Sequence, residues 1–313
     1  MRFRSAKSPM AKIAALEEML AIIPKHKGTD HLRADLRTRI AKLSQLATKK
    51  SGAQRASMLV DREGAAQLAI VGLPNSGKSQ LLARITNASP TVAEYPFTTT
   101  SATPGMMPFK DIKIQLIDTP PLVPQSIQWW LPSMLRRADA LLVMVDLGNE
   151  PLSQTVAIRE QLKKMRITIG ETRAQDEAEG VLWPKKALII GNKRDLDRDG
   201  QNYQALLDKY KEQLPVTAIS AKEGHGLEEL KLKIYQMLDI IRVYTKTPGQ
   251  KPDLTDPVVL KRGSTLEDAA ASVHQDFAAK LKYARIWGSG KYDGVMAKRD
   301  HVLEDGDIIE LHL

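Results

Sequence analysis

An eight-residue, glycine-containing segment constrains the fold of this chain more than any other feature. Residues 72–79 read Gly-Leu-Pro-Asn-Ser-Gly-Lys-Ser, which matches the pattern G-x-x-x-x-G-K-[ST]. The apolar run at residues 68–71 precedes the segment, and a helix-length amphipathic stretch follows it. In such a strand–loop–helix unit, backbone N–H groups and the helix N-terminus hold phosphate groups. The segment therefore predicts a phosphate-binding loop within an α/β domain.

The phosphate-binding loop also supplies side chains with predicted roles. Lys78 is expected to reach the β- and γ-phosphates of a nucleotide, and Ser79 is expected to offer its hydroxyl to magnesium. The other candidate binding residues in and beside the loop are Asn75, Ser76, Gly77 and Gln80. Because ATPases share this pattern, the base has to be identified from other residues.

Short apolar runs alternate with helix-length amphipathic stretches through the middle of the chain. The further runs lie at residues 112–117, 141–145, 187–190 and 216–219. This alternation is typical of a wound α/β domain with a mainly parallel sheet. Such sheets bind ligands at the carboxyl ends of their strands. Residues that directly follow the runs are therefore candidate site residues.

The segment Asn192-Lys193-Arg194-Asp195 follows the apolar run at residues 188–191 and indicates guanine as the base. The Asp195 carboxylate can accept hydrogen bonds from N1–H and the 2-amino group of guanine, which adenine does not offer. A buried carboxylate left unpaired would reject the wrong base. Lys193 would lie along the base, and Asn192 would tie this loop to the phosphate-binding loop. Ordinary caps at a helix N-terminus are the alternative.

A second base-side segment, Ser220-Ala221-Lys222, follows another short apolar run. A backbone N–H in this segment can meet the guanine oxygen. The motif is weak alone, but its order and spacing support the interpretation of residues 192–195.

Two further segments are candidates for metal binding and phosphate sensing. Asp118 ends a predicted strand, where its carboxylate can hold magnesium through water. Residues 95–99 read Tyr-Pro-Phe-Thr-Thr, and a threonine in such a loop can coordinate magnesium and sense the γ-phosphate. Thr99 is the first candidate and Thr98 the second, and a loop with no ligand role is the alternative. The predicted metal ligands are Ser79, Thr99 and Asp118, and the predicted catalytic residues are Lys78, Thr99 and Asn75.

Residues 1–64 form a basic segment that precedes the α/β domain predicted at residues 65–244. Apolar residues recur at helical spacing on both sides of Pro24, which predicts an antiparallel helical hairpin and a linker. Residues 1–66 hold 14 Lys and Arg against 6 Asp and Glu, a balance of +8 (14 − 6), whereas the net charge of the chain is +9. An arm that contacts RNA and a solvated basic face both explain this asymmetry.

A proline-containing linker is predicted at residues 245–257, followed by a small α+β domain at residues 258–313. Residues 258–260 read as a strand, and residues 308–313 alternate as a final strand. Between them, Ser264-Thr265 reads as a helix cap, and Glu267 and Asp268 are placed to complete a capping box. The residues expected on the buried stripe of this helical segment are Leu266, Ala270, Val273, Phe277 and Leu281.

Composition excludes several classes of protein. The chain has no cysteine, so it forms no disulfides and no thiolate metal sites. Its six histidines are scattered without a carboxylate cluster, and no structural metal is expected. The apolar runs are too short to cross a membrane, and the N-terminus lacks the apolar core of a signal peptide. A cytoplasmic location without membrane contact is therefore expected.

These motifs resemble those of a known family. Residues 72–79, 95–99 and 192–195 resemble the Obg/DRG group of translation-factor-type GTPases. Residues 261–265, 282–288 and 301–305 resemble the TGS domain of DRG proteins, a β-grasp module, and residues 24–29 resemble the DRG helical region. The resemblance covers most of the chain. It implies a cytoplasmic GTPase that binds GTP or GDP with Mg²⁺. The resemblance also implies association with ribosomes or RNA through the hairpin and the TGS domain. The TGS domain can in addition recruit a protein partner.

The chain departs from this family pattern in two places. The family has D-x-P-G after the strand, whereas this chain reads Asp118-Thr119-Pro120-Pro121. In the family, the glycine N–H contacts the γ-phosphate, and proline has no N–H. Binding of the diphosphate should survive, while γ-phosphate sensing and turnover are expected to suffer. The DRG insertion after this motif is also absent, since only about twenty residues separate Pro120 from the next predicted strand.

Hydrolysis requires a positioned water and positive charge that faces the γ-phosphate. Leu122 stands where Ras-like enzymes carry a water-aligning glutamine, and Obg-type proteins are likewise apolar there. The resemblance implies that Asn75 helps bind potassium in place of an arginine finger, and a turn-forming role is the alternative. Slow hydrolysis, accelerated by potassium or ribosomes, is the first prediction. A nucleotide-binding module with little hydrolysis, acting as a scaffold through the TGS domain, is the alternative.

Overall fold

The alternating apolar runs form a seven-stranded sheet in the computed structural model, which describes residues 60–86, 102–124, 127–170, 182–289 and 293–312. The sheet has the order β2-β3-β1-β4-β6-β5, with β7 beside β6. All of its pairings are parallel except that between β2 and β3. The strands are β1 (Gln67–Gly72), β2 (Thr103–Phe109), β3 (Ile112–Asp118), β4 (Ala140–Asp146), β5 (Ile167–Ile169), β6 (Trp183–Asn192) and β7 (Val216–Ala218).

Helices connect these strands and cover the sheet. They are α1 (Lys78–Ile85), α2 (Leu131–Arg137), α3 (Pro151–Lys164), α4 (Gln201–Tyr210) and α5 (Leu227–Leu238). Every residue of β1 is buried, as are the first six of β4, because crossover helices cover both faces of a parallel sheet. The predicted wound α/β fold is confirmed. Among the described helices, none is long and apolar enough to cross a membrane.

The edge strand β2 was not predicted from the sequence. It contains Pro104 and Pro108 around a glycine and two methionines, a composition typical of loops. Prolines are tolerated here because β2 pairs only with β3 in the described sheet, which leaves its other edge without a ladder partner.

A second sheet of five strands is described in residues 240–312, with the order β11-β10-β12-β8-β9. Its strands are β8 (Ile240–Thr245), β9 (Val258–Lys261), β10 (Tyr283–Trp287), β11 (Val295–Ala297) and β12 (Ile308–His312). The sheet begins with β8, so the predicted domain start at residue 258 lies inside it. The sequence does not mark this boundary, because a single residue, Asp239, lies between the end of α5 and Ile240. Asp239 has a left-handed backbone conformation.

Two helices, α6 (Leu266–Val273) and α7 (Gln275–Lys280), pack on one face of the second sheet. The predicted capping box is present at the start of α6, where Thr265 and Asp268 exchange side-chain and backbone hydrogen bonds. The expected buried stripe is wrong at one position. The helix ends at Val273, because His274 is extended, and Val273 is 39% exposed.

The second sheet is attached to the turn between β2 and β3. The guanidinium group of Arg242, on β8, contacts Asp111 in this turn at 2.5 Å. The same group donates two hydrogen bonds of 3.0–3.1 Å to Asp305, which lies in the last turn of the second sheet. Tyr235 of α5 donates to the same Asp305 carboxylate at 2.7 Å, and Tyr244 donates to Asp111. This network joins both sheets within the compact unit Asp61–Leu313. The predicted N-terminal hairpin and Thr99 lie outside the described residues.

Candidate nucleotide-binding site

The phosphate-binding loop connects β1 to α1 and needs two residues with left-handed backbone. Asn75 has a φ of 60°, a conformation that asparagine tolerates better than most residues. Gly77 has a φ of 95°, and a Cβ at this position would lie 2.3 Å from Nδ2 of Asn192. Glycine is therefore required at 77 both by its backbone conformation and by the close approach of the neighbouring loop.

Lys78 begins α1 and is buried, with only 8% of its surface exposed. Its Nζ donates to the carbonyl oxygens of Leu73 at 3.2 Å and Gly72 at 3.4 Å. Burial lowers the pKa of Lys78, and the nearby Asp118 carboxylate opposes this effect. The ammonium group thus lies inside the loop and donates two long hydrogen bonds to carbonyl oxygens. A phosphate oxygen can replace these carbonyl oxygens as the acceptor and form shorter, charge-assisted hydrogen bonds.

Asp118 lies at the carboxyl end of β3, beside the first turn of α1. Ser79 donates its hydroxyl hydrogen to Oδ2 of Asp118. The other carboxylate oxygen, Oδ1, is buried and has no hydrogen-bond partner among the residues that the structure describes. Burial raises the pKa of Asp118, and the hydrogen bond from Ser79 and the charge of Lys78 partly offset it. A buried oxygen without a partner, next to a serine hydroxyl, is a donor set suited to a hard cation.

The backbone after Asp118 is held against β1. Thr119 donates its hydroxyl hydrogen to the carbonyl oxygen of Ile70 at 2.7 Å, and the N–H of Leu122 donates to the carbonyl oxygen of Gly72 at 3.0 Å. The Leu122 side chain is fully buried. Leu122 therefore has a packing role, and it offers neither its side chain nor its N–H to a γ-phosphate.

Asn192, the last residue of β6, connects the loops at the carboxyl edge of the first sheet. Its Nδ2 donates to the carbonyl oxygen of Ser76 at 2.8 Å, and its Oδ1 accepts from the N–H of Ala221 at 2.9 Å. The residue is 1% exposed. The structure thus brings the phosphate-binding loop and both predicted base-side segments together, as the sequence indicated.

Asp195 and Ser220, which were each predicted to lie beside the base, form a hydrogen bond with each other. The Ser220 hydroxyl donates to Oδ1 of Asp195 at 2.6 Å, and this hydrogen bond lowers the pKa of Asp195. Asp195 is itself exposed, whereas Ser220 is buried. An ionised carboxylate that is held by Ser220 on an exposed residue can accept hydrogen bonds from a base.

Lys193 has a partner that the sequence prediction missed. Its Nζ lies 2.6 Å from Oδ2 of Asp146, the last residue of β4. Oδ1 of Asp146 accepts from the N–H of Gly148 at 2.8 Å, and Gln154 of α3 holds the Asp146 backbone with hydrogen bonds of 2.9 and 3.0 Å. An acidic residue directly after the apolar run at 141–145 was the available signal. Asp146 fixes the end of the Lys193 side chain.

The remaining predicted residues lie at the rim of the site. Gln80 is exposed in the first turn of α1, and Lys222 is exposed and pairs with Glu223 at 3.5 Å. Arg84 of α1, which was not predicted, donates to the carbonyl oxygen of Lys222 at 2.6 Å. Arg84 thus connects α1 to the loop that follows β7.

Comparisons with known families match both halves of this architecture. The family model described as "50S ribosome-binding GTPase" matches residues 67–176, and the model of the TGS domain matches residues 241–313. The chain is a P-loop GTPase with a TGS domain. The GTPase domain carries the site described above, and the TGS domain is the second sheet with its two helices.

Relatives with the same organisation cover nearly the whole chain. The developmentally-regulated GTP-binding protein 1 of Xenopus laevis is 28% identical, over 96% of this chain and 98% of its own length. An uncharacterized GTP-binding protein of Methanocaldococcus jannaschii is 29% identical, over 96% of this chain and 92% of its own length. The alignment with the Xenopus protein spans 364 positions, so that protein has residues that the 313-residue chain lacks.

A solved structure shows the same fold at low identity. The YchF GTPase of Schizosaccharomyces pombe superposes with a TM-score of 0.53 at 14% identity. The superposition covers 81% of this chain and 99% of that structure. At this identity the similarity concerns the fold alone.

Proposed function

We propose that this GTPase hydrolyses GTP slowly with Mg²⁺ and couples its nucleotide state to association with ribosomes or RNA. The observation that carries the proposal is the convergence of Lys78, Asp118 and Asp195 at one edge of a parallel sheet. Lys78 binds the phosphates, Asp118 binds the metal ion, and Asp195 accepts hydrogen bonds from the guanine base. The cysteine-free composition fits a reducing, cytoplasmic compartment.

Magnesium fits the residues at the phosphate end of the site. Ser79 would supply its hydroxyl oxygen and Asp118 its carboxylate, whose buried Oδ1 accepts no hydrogen bond from the described residues. When bound, the ion neutralises negative charge on the β- and γ-phosphates. Thr99 remains our candidate for the threonine that completes this site.

Slow turnover follows from the segment after Asp118. Pro121 has no N–H to offer the γ-phosphate, and the N–H of Leu122 is already donated to Gly72. The described part of this segment therefore supplies no backbone donor at 121 or 122 for the charge that develops during hydrolysis. The same observation favours the second candidate function, a nucleotide-binding scaffold that hydrolyses little GTP and recruits a protein through its TGS domain.

Potassium is proposed to supply part of the missing positive charge, with Asn75 as a ligand. The left-handed backbone of Asn75 also supports its alternative role in shaping the turn. Two substitutions separate these roles. Asn75→Gly keeps access to the left-handed conformation and removes the side-chain amide, whereas Asn75→Ala removes both. A potassium response that is lost in both variants supports ion binding, and a response kept in Asn75→Gly restricts the residue to the turn.

Association with ribosomes or RNA is supported by the description of the matching GTPase family and by the charge of the chain. The basic residues 1–66 and the TGS domain are the proposed contacts. Contacts to phosphates would weaken steeply with salt. Binding to ribosomes that does not change with salt would instead favour a protein partner.

The decisive experiment is phosphate release from GTP by the full chain in potassium buffer, with and without ribosomes. Sodium buffer is the ionic control, and Lys78→Ala is the inactive control. Turnover that ribosomes accelerate supports the proposed switch. No release in any condition, with GDP still bound, would make the scaffold the correct function.

A further inference from the structure

A basic groove lies at the edge of the first sheet opposite the nucleotide site. There, the amino ends of β1, β4 and β6 meet β8 and β9 of the TGS domain around a cavity of about 590 Å³. Within the part of the chain that the structure describes, the acidic side chains that line it are those of Asp139 and Asp239. The basic side chains are Arg62, Arg137, Lys185, Lys186, Lys261 and Arg262. The lining therefore carries a formal charge of +4 (6 − 2).

Part of this positive charge stabilises the ends of two helices. Lys185 donates to the carbonyl oxygens of Arg136 and, at 2.6 Å, Ala138 at the C-terminus of α2. Lys186 donates to the carbonyl oxygen of Leu238 at the C-terminus of α5, at 3.3 Å. Cations at helix C-termini interact favourably with the helix dipole. Lys185 and Lys186 therefore have a structural use.

Two arginines of the groove are paired with its two acids. Arg62 lies 2.8 Å from Asp139, and Nε of Arg262 lies 3.0 Å from Asp239. The side chains of both arginines remain more than half exposed, at 53% and 59%. Each guanidinium has five N–H donors, so it keeps donors for a second anionic partner.

Arg137 and Lys261 take no part in these contacts with helix ends or in these ion pairs. Both are exposed, and neither forms an ion pair within the described residues. Arg137 belongs to the GTPase domain, in the last turn of α2, whereas Lys261 ends β9 in the TGS domain. Two unpaired cations from different domains thus face one groove with excess positive charge.

We propose that this groove binds the phosphodiester backbone of RNA, with Arg137 and Lys261 contacting phosphates from the two domains. The proposal rests on the RNA association proposed above, which selects a phosphodiester over an acidic peptide. The described lining offers arginines for bidentate phosphate contacts, and none of its residues carries an aromatic ring for base stacking. The groove is therefore expected to bind the phosphodiester backbone of RNA independently of the base sequence. An RNA bound there spans the GTPase and TGS domains at the edge opposite the nucleotide.

The test measures binding of a fluorescent, unstructured single-stranded RNA to the full chain at several salt concentrations. The variant is Arg137→Gln with Lys261→Gln. Its matched control, Lys164→Gln with Lys298→Gln, removes the same charge from exposed positions in the same two domains, with Lys164 also in a last helical turn. Thermal unfolding and GDP affinity are measured for both variants and should match the wild type.

For the groove variant, affinity should fall about tenfold, and the slope of log K against log salt should decrease by about 1.4, or 0.7 for each lost phosphate contact. The control should retain the wild-type slope. Equal losses in both variants would show a general charge effect and overturn the proposal. Unchanged binding in the groove variant would overturn the groove while RNA association stands, and a wild type that does not bind RNA would overturn both. Polyglutamate is the probe for an acidic peptide. If the wild type binds polyglutamate but not RNA, and the groove variant binds polyglutamate more weakly, the ligand of the groove is an acidic peptide and the RNA proposal is wrong.

Discussion

The side-chain amide of Asn192 donates to the carbonyl oxygen of Ser76 at 2.8 Å, which joins the base-side loop to the phosphate-binding loop. Oδ1 of Asn192 meanwhile accepts from the N–H of Ala221, so one buried side chain spans three loops. Gly77 permits this approach because any Cβ there would collide with the Asn192 amide. One asparagine therefore connects the phosphate-binding loop to both base-side segments.

Asn192→Ala should destabilise the site and weaken nucleotide binding together. It leaves the N–H of Ala221 and the carbonyl oxygen of Ser76 without their partners, which costs about 2–4 kcal/mol of unfolding free energy. GDP affinity should fall more than about tenfold, since the loops lose their common support. Urea unfolding and calorimetric titration measure the two effects. Asn202→Ala is the control, because it removes a 2.7 Å hydrogen bond to Leu147 remote from the phosphates; an equal loss of GDP affinity there would contradict the prediction.

The sequence predicted the composition of this site because its motifs follow strands that pair in parallel. Once Gly72, Asp118 and Asn192 end β1, β3 and β6, the topology places them at one edge. The order of the motifs along the chain therefore predicted that they lie together at one edge of the sheet. The capping box at Thr265 was equally predictable, because its hydrogen bonds are local.

Features that depend on distant partners could not be predicted. The strand β8 follows α5 almost directly, and only its pairing with β9 and β12 assigns it to the TGS domain. Arg242 contacts Asp111, 131 positions away, and no local pattern marks that pair. Lys193 and Asp146 meet only because β4 and β6 are neighbours in the sheet.

Asp146→Asn should weaken guanine nucleotide binding with little change in stability. The 2.6 Å contact to Lys193 is partly exposed, so its loss should change the unfolding free energy by less than about 1 kcal/mol. GDP affinity should nevertheless fall about fivefold, because the Lys193 side chain is no longer fixed and has to be ordered on binding. Titration with GDP measures the effect. Asp208→Asn, which breaks an exposed pair with Lys211, should leave the affinity unchanged, and a parallel loss in that control would remove the positioning role of Asp146.

Asp195→Asn should change the preferred base from guanine to xanthine. Asparagine presents an amide donor where guanine offers its 2-amino donor, whereas xanthine has a carbonyl oxygen at that position. GDP affinity should fall at least about a hundredfold and XDP affinity should rise. Competition between the two nucleotides measures the switch, with the exposed Asp199→Asn as control. Retained GDP preference in Asp195→Asn would mean that the base is recognised elsewhere.

The junction between the two sheets should lose stability in acid through Asp305. Burial disfavours the ionised carboxylate, but hydrogen bonds from Arg242 and Tyr235 outweigh it and lower the pKa of Asp305 to about 2. A lowered pKa stabilises the fold above the unfolded value near 3.8, and that contribution disappears as pH falls toward 2. Asp305→Asn should therefore cost about 2 kcal/mol of unfolding free energy at pH 6 and little at pH 2. Urea unfolding across this range tests it, and a difference independent of pH would contradict the assignment.

Pro121→Gly should increase GTP turnover without strengthening GDP binding. The substitution restores a backbone N–H beside the phosphate-binding loop, where negative charge develops on the γ-phosphate. We expect turnover to rise about tenfold or more and the preference for a non-hydrolysable GTP analogue over GDP to increase. Glycine also loosens the unfolded chain, so unfolding free energy should fall by about 1 kcal/mol. Pro124→Gly, at an exposed position in the same segment, controls for that loosening. If both variants turn over GTP at the wild-type rate, the missing donor is not what limits hydrolysis, and a partner on the ribosome becomes the source of the catalytic charge.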